Sequence, residues 1–176
     1  MRWFIGIMAM LTLMGCNSYD DDERAATVYG EDLLVEDVKY RTSIGEDELK
    51  QNTRYVVQSK LVQHENREAG LDLQEEVNNE VEQQLTHVNN EPLPEDVKQF
   101  YEEQAEYFNV EIETYYADLT EANTEFQIHL RHYLERHFGD IEELNRKDPE
   151  YAAEQMEGAM VDLMERHEKY FEIYID

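Results

Sequence analysis

Cysteine occurs once in the 176 residues, at position 16, so the chain offers one thiol for alkylation or ligation and no internal disulfide. The other chemically capable groups are six histidines and 42 acids. His64-Glu65-Asn66-Arg67-Glu68 approaches the zinc-protease spacing, in which two histidines one helical turn apart hold the metal and a glutamate acts as base. Glu68 occupies the second histidine position and no third ligand is in view, so the segment reads as a solvated helix edge. Glu125, His129 and His132 fall within two turns of one predicted helix and could meet a divalent ion. That spacing arises readily by chance in so polar a helix, and no metal or cofactor is assigned. His137 is expected to project toward the apolar face of the same helix. Ser18, Ser43 and Ser59 are the only serines, and none sits in a Gly-x-Ser-x-Gly elbow. Carboxylate pairs are inevitable among so many acids, and no cluster of sugar-stacking aromatics accompanies them. The expectation is a protein without catalytic machinery.

Cys16 differs from these groups in its context. The chain opens Met1-Arg2, runs apolar from Trp3 to Met14, and turns strongly polar after Cys16, at Asn17-Ser18-Tyr19-Asp20-Asp21-Asp22-Glu23. A dozen apolar residues are too few to cross a bilayer, which needs about 20 in a helix, but they suit the middle of a signal peptide. Leu13-Met14-Gly15-Cys16 resembles the lipobox of bacterial lipoproteins, with Leu three places before the thiol and a small residue immediately before it. That resemblance implies cleavage before Cys16 and attachment to the cell membrane, on its extracytoplasmic face, through acyl chains on that residue. Processing would also remove Arg2 and the sole tryptophan, Trp3.

The formal charge of −27 argues against a nucleic-acid partner, whose phosphates call for Lys and Arg, and against adhesion of the folded body to anionic lipid. Membrane attachment then falls to the acyl group, which holds stably when two or more chains are present.

Residues 16–24 read as an acidic spacer with nothing to pack, although three successive aspartates invite a calcium reading that lacks the EF-hand's alternation and central glycine. Ala25 to Leu34 reads as a short extended piece turning at Gly30, followed by a helix over Val35–Arg41. A longer helix is expected from Gly45 to Ala69, with Leu49, Val56, Val57, Leu61 and His64 broadly on one side and Gly70-Leu71 as its stop. Asp72 caps the next helix, whose stripe is Leu73, Val77, Val81 and Leu85. The break at Asn89–Pro94 precedes a helix whose apolar side is Val97, Phe100, Tyr101 and Phe108. Two helices are then expected, Val110–Leu119 and Thr120–Phe138, the second burying Phe126, Leu130, Tyr133, Leu134 and Phe138. Asp148-Pro149-Glu150 starts a last helix carrying Met156, Met160, Leu163, Met164, Tyr170, Phe171 and Tyr174. No series of strands is expected.

Ala26-Thr27-Val28-Tyr29-Gly30-Glu31-Asp32-Leu33-Leu34, followed by a short acidic helix and a longer one closed by Gly70-Leu71, resembles the N-terminal helical domain of the exported SurA and PrsA foldases. Val110-Glu111-Ile112-Glu113-Thr114-Tyr115-Tyr116 looks like that family's later helical element, so the resemblance covers about residues 25–138. Tyr29 stands where the family commonly has Asn, and Val35 where a Ser or Thr cap is usual. No parvulin-like, glycine-rich segment lies between Asn89 and Val110, so the resemblance implies the helical chaperone-like module without isomerase activity.

The resulting expectation is an all-α, irregular multi-helix, SurA-N-like domain over 25–138 with a short extended N-terminal segment. Residues 1–15 form the signal peptide, 16–24 the spacer, and 139–176 a C-terminal amphipathic helix packing on the domain. The expected role is non-enzymatic binding of unfolded or partner polypeptide near the membrane. Alternatives are a structural or regulatory lipoprotein docking one folded partner and, third, a metal-binding or hydrolytic lipoprotein. Met156, Met160 and Met164 recur every four residues with Tyr170 and Phe171 beyond, a soft stripe that either docks the last helix or, undocked, touches clients.

Overall fold

The computed structural model describes residues 19–90 and 94–176, with 87–90 described by their backbone alone. The lipobox residues Leu13, Met14, Gly15 and Cys16 lie outside the described residues. Most of the described chain is helical: α1 Val35–Arg41, α2 Leu49–Glu68, α3 Gln74–Asn90, α4 Glu95–Phe108, α5 Ile112–Phe138, α6 Ile141–Lys147 and α7 Pro149–His167. Three short strands accompany them, β1 Arg24–Val28, β2 Glu31–Leu34 and β3 Phe171–Ile173, in the antiparallel order β2-β1-β3. The fold is thus an irregular all-α assembly that closes on a small sheet.

The N-terminal hairpin has a two-residue loop, Tyr29-Gly30, with φ of 53° and 83°. Two positive φ values in succession are those of a type I′ turn, whose twist matches the strands it joins. Asn tolerates the first position better than Tyr does, so Tyr29 holds its left-handed φ of 53° at some steric cost. At the head of α1, Leu34 has no side-chain acceptor, and Asp37 reaches back instead to accept from the Leu34 N–H at 2.9 Å. α2 ends in a Schellman motif, with Gly70 at φ 77°, the Leu71 N–H donating to the Asn66 carbonyl (3.0 Å) and the Gly70 N–H to that of Arg67 (2.9 Å). α7 starts as its residues predict, Asp148 accepting from the Tyr151 N–H at 3.1 Å ahead of Pro149.

α5 organises the helices by burying different faces along its length. Near its start Tyr115 and Leu119 pack with Ala105 of α4, Tyr40 and Phe108, whereas Ile128 meets Leu73 and Val77 below α3. Phe126, Tyr133 and Leu134 enter the main core, where the hairpin (Ala25, Ala26, Val28, Leu33), α1 (Val35, Val38), α2 (Val56, Val57, Leu61, Val62) and α7 (Ala159, Leu163, Met164) converge.

Several expectations are corrected. Val110–Leu119 and Thr120–Phe138 are one continuous helix, because no Gly or Pro interrupts it and the change of apolar face at Leu119 marks a change of neighbour. Phe138 is 36% exposed and His137 is also exposed, its Nδ1 lying 2.7 Å from the Tyr133 carbonyl, because both fall in the last turn of α5 beyond the core. The last helix stops at His167, so Tyr170, Phe171 and Tyr174 lie in a 3-10 turn, a strand and the tail. A sheet exists although no strand series was expected, because β3 pairs with β1 from the opposite end of the chain. The latter part of the acidic spacer also packs: Tyr19 rests on the core, and the Asp21 carboxylate accepts from Lys39 Nζ (2.8 Å) and from the Tyr107 hydroxyl (2.7 Å).

Candidate functional site

Two features stand out: a network of titratable groups at the end of α2, and a groove beside β3. The network begins where α2 brings His64, Glu65 and Asn66 against α5, α7 and the hairpin turn. Nε2 of His167 donates to Glu65 Oε1 (2.7 Å) while Nδ1, 2.8 Å from the Tyr29 hydroxyl, accepts, an assignment of roles set by these partners. Arg166 donates to the same Glu65 oxygen (2.9 Å) and to the Tyr133 hydroxyl (2.9 Å). The Tyr29 ring lies 4.1 Å from His64 and 5.3 Å from Tyr170, centroid to centroid.

Burial opposes the charge on Glu65, but the His167 hydrogen bond and the charges of Arg166 and Arg136 outweigh it and hold the carboxyl below its ordinary range. Tyr29 moves the other way. Burial, and then the carboxylate of Glu65, push its phenol up to about 12, so it stays protonated at neutral pH. A phenol held protonated and a carboxylate clamped by arginine are poor proton acceptors. The arrangement fastens the hairpin turn to α2 and the end of α7.

Asn66, fully buried, continues the network. Arg136 Nη1 donates to its Oδ1 (2.7 Å), which orients the amide so that Nδ2 faces His129, donating to its carbonyl (2.7 Å) and approaching its Nδ1 (3.2 Å). Burial, with the nearby charges of Arg67 and His132, lowers the His129 pKa and favours the neutral ring that this contact requires. The trio weighed as ligands is therefore dispersed. His129 faces Asn66, His132 Nε2 lies 2.8 Å from Glu76 on α3, and Glu125 lines a separate cleft with Tyr40 and Asp118. Among the described residues no group of three His, Cys, Asp or Glu is placed to hold a metal ion. His64 stacks on Tyr29 and takes no part in a metal-ligand set.

The groove, about 1040 Å³, runs between the start of α2, the end of α7 and the C-terminal strand. Its apolar lining is Met164, Phe171, Ile173 and Ile175, and its rim carries Asp47, Glu165, Glu168 and Asp176 against Lys50 and Arg54. Strand alternation places Phe171, Ile173 and Ile175 on this face and Tyr170, Glu172 and Tyr174 on the other. Of the candidate client-contact residues, Met164 and Phe171 reach the groove. Met156 and Met160 are half-buried against the main core and dock α7, and Tyr170 is exposed on the opposite face beside Tyr29. Ile173 and Ile175 were missed by the helical reading, although the alternation Phe171-Glu172-Ile173-Tyr174-Ile175 is a strand pattern.

A smaller hollow of about 400 Å³ is lined by Asn52, Tyr55, Phe100, Tyr101 and Asn123 between α2, α4 and α5. Among the described residues, Asn52 Nδ2 is a buried donor without a hydrogen-bond partner. No helix of the described residues is long and apolar enough to cross a membrane. No protein-family model, curated protein or solved structure matches this chain, so its function is read from these residues.

Proposed function

We propose that this chain is an extracytoplasmic lipoprotein, anchored to the membrane by acyl chains on Cys16, that holds unfolded or partner polypeptide without catalysing a reaction. The groove beside β3 carries the reading: an apolar lining with a charged, mainly acidic rim offers burial to apolar side chains and attraction to basic ones. The anchor brings it near the bilayer. Asn17 and Ser18 alone separate Cys16 from Tyr19, a tether of roughly 10 Å when extended, and the Tyr19 hydroxyl accepts from the N–H of Asp176 on the groove rim (3.0 Å).

Two measurements test the proposal. Intact-mass analysis from the native host should show a diacylglyceryl-modified Cys16 at the N-terminus, with Cys16→Ser released from the membrane fraction. The purified soluble body should suppress aggregation of several chemically denatured model proteins. One stoichiometric folded partner in a pulldown, together with no suppression, would instead support a docking lipoprotein, and an unmodified product beginning at Met1 in the cytosol would overturn the anchor.

A further inference from the structure

β3 is an edge strand, and its pairing with β1 determines which of its backbone groups are open. The Tyr29 N–H donates to the Tyr170 carbonyl (2.7 Å) and the Tyr174 N–H to that of Ala25 (2.9 Å), with Thr27 opposite Glu172 between them. In an antiparallel ladder alternate residues bond to the same neighbour, so Tyr170, Glu172 and Tyr174 turn their backbone groups toward β1. Phe171 and Ile173 turn theirs away, to the side where the sheet ends. The same two residues send their side chains into the groove. Open backbone groups and an apolar floor therefore coincide on one short stretch of chain.

We propose, on the reading that this groove takes polypeptide, that its occupant is an extended basic segment that adds to the sheet as a fourth strand along β3. The N–H and C=O groups of Phe171 and Ile173 supply the ladder, as in strand-addition recognition generally. Alternate apolar side chains of the segment enter over Met164, Phe171 and Ile173. The intervening and flanking residues are Lys or Arg, which meet Glu172 on the outer face of β3 and Glu165, Glu168 and Asp176 on the rim. A second copy of this chain is disfavoured as occupant, because each copy carries a formal charge of −27.

The test uses a fluorescent seven-residue peptide of alternating lysine and valine with the soluble body of the protein. Binding is expected, weakening as salt rises and disappearing when glutamate replaces lysine. Two N-methylated versions, modified on alternate backbone nitrogens, separate strand addition from simple burial. The set whose nitrogens face β3 loses binding and the other set keeps it, whereas equal behaviour of the two sets overturns the proposal. Ile173→Pro removes an N–H that points away from β1, so the existing sheet is kept, and affinity is expected to fall about tenfold or more. Ile173→Val serves as the side-chain control.

Suppression of aggregation without binding of the alternating peptide retains the polypeptide-holding function and rejects strand addition. Peptide binding with the full N-methyl pattern but without suppression retains strand addition and rejects the chaperone-like role. Dimerisation that Ile173→Pro abolishes, in a protein that ignores the peptide, assigns the edge to a second copy and also overturns the proposal.

Discussion

Replacing Asn66 by alanine probes the junction of α2 and α5 at its most buried polar point. The wild-type amide donates to the His129 carbonyl, faces His129 Nδ1, and accepts from Arg136. Arg136 is about a third exposed and can turn to water, so little is lost on its side. The His129 carbonyl keeps its intrahelical partner, but Nδ1 has no such recourse, because His129 is only 8% exposed. Two lost neutral hydrogen bonds at about 1 kcal/mol each, with a further ~1 kcal/mol for the Nδ1 acceptor left buried and bare, give a destabilisation of about 3 kcal/mol. For a domain of this size that lowers Tm by roughly 6–12 °C. Urea unfolding followed by far-UV circular dichroism measures it, with Asn52→Ala as the comparison. Asn52 offers a buried donor that already lacks a partner, so its removal should change stability by about 0.5 kcal/mol or less, in either direction. A loss under ~1 kcal/mol at Asn66, or one equal to that at Asn52, would refute the assignment of Asn66 as the polar clasp between α2 and α5.

Acid should destabilise the fold through Asp21 and Glu65, whose carboxyls are held below their unfolded-state values. Their contribution is fully present above the ordinary carboxylate pKa, near 4.5 for Glu65, and is lost as pH falls through the depressed folded values. Glu65→Gln is therefore expected to flatten the stability profile below about pH 4.5, as read by thermal unfolding across pH. His129 acts in the same direction at higher pH, since its folded pKa lies below its ordinary 6.5 and the unfolded chain binds the proton first. Tyr29→Phe should cost about 1 kcal/mol by deleting the hydrogen bond to His167 Nδ1 while keeping the ring stacks, measurable by urea unfolding. Leu134→Ala should cost about 2–5 kcal/mol, but Phe138→Ser only about 1 kcal/mol because a third of its surface is already in water, a contrast that reads out which residues of α5 reach the core. Lys39→Met should loosen residues 19–23 without detaching them, seen as faster amide exchange there, because Lys39 is buried and Asp21 is its ion-pair partner. If the chain is processed before Cys16 as proposed, Trp3 is removed and the remaining protein should emit as tyrosine alone, as read by intrinsic fluorescence.

The residues themselves determine a good deal. The helix boundaries at Gly70, Pro94 and Asp148 were legible because each depends on local backbone chemistry: a left-handed glycine, a proline without an N–H, an aspartate that caps. The apolar run from Trp3 to Met14, just ahead of Cys16, is likewise a local pattern, and it motivates the anchoring proposal without any fold. Asn66, by contrast, sits in the polar string His64-Glu65-Asn66-Arg67-Glu68 and looks solvated. Only the approach of α5, which brings His129 and Arg136 to it, makes it a buried junction.

The groove belonged to tertiary structure for the same reason. A short alternating stretch after a strong helix can continue the helix or become a strand, and the choice depends on a neighbour. Here that neighbour is β1, so distant that Thr27 and Tyr174, whose hydroxyls lie 3.4 Å apart, are separated by 147 positions in sequence. Hydrogen bonding between strands is non-local, and no periodicity within residues 168–176 could announce that Arg24–Val28 would present its open side to them. Local chemistry therefore set where helices start and stop, and long-range pairing decided that the chain's last residues form an edge with a groove beneath it.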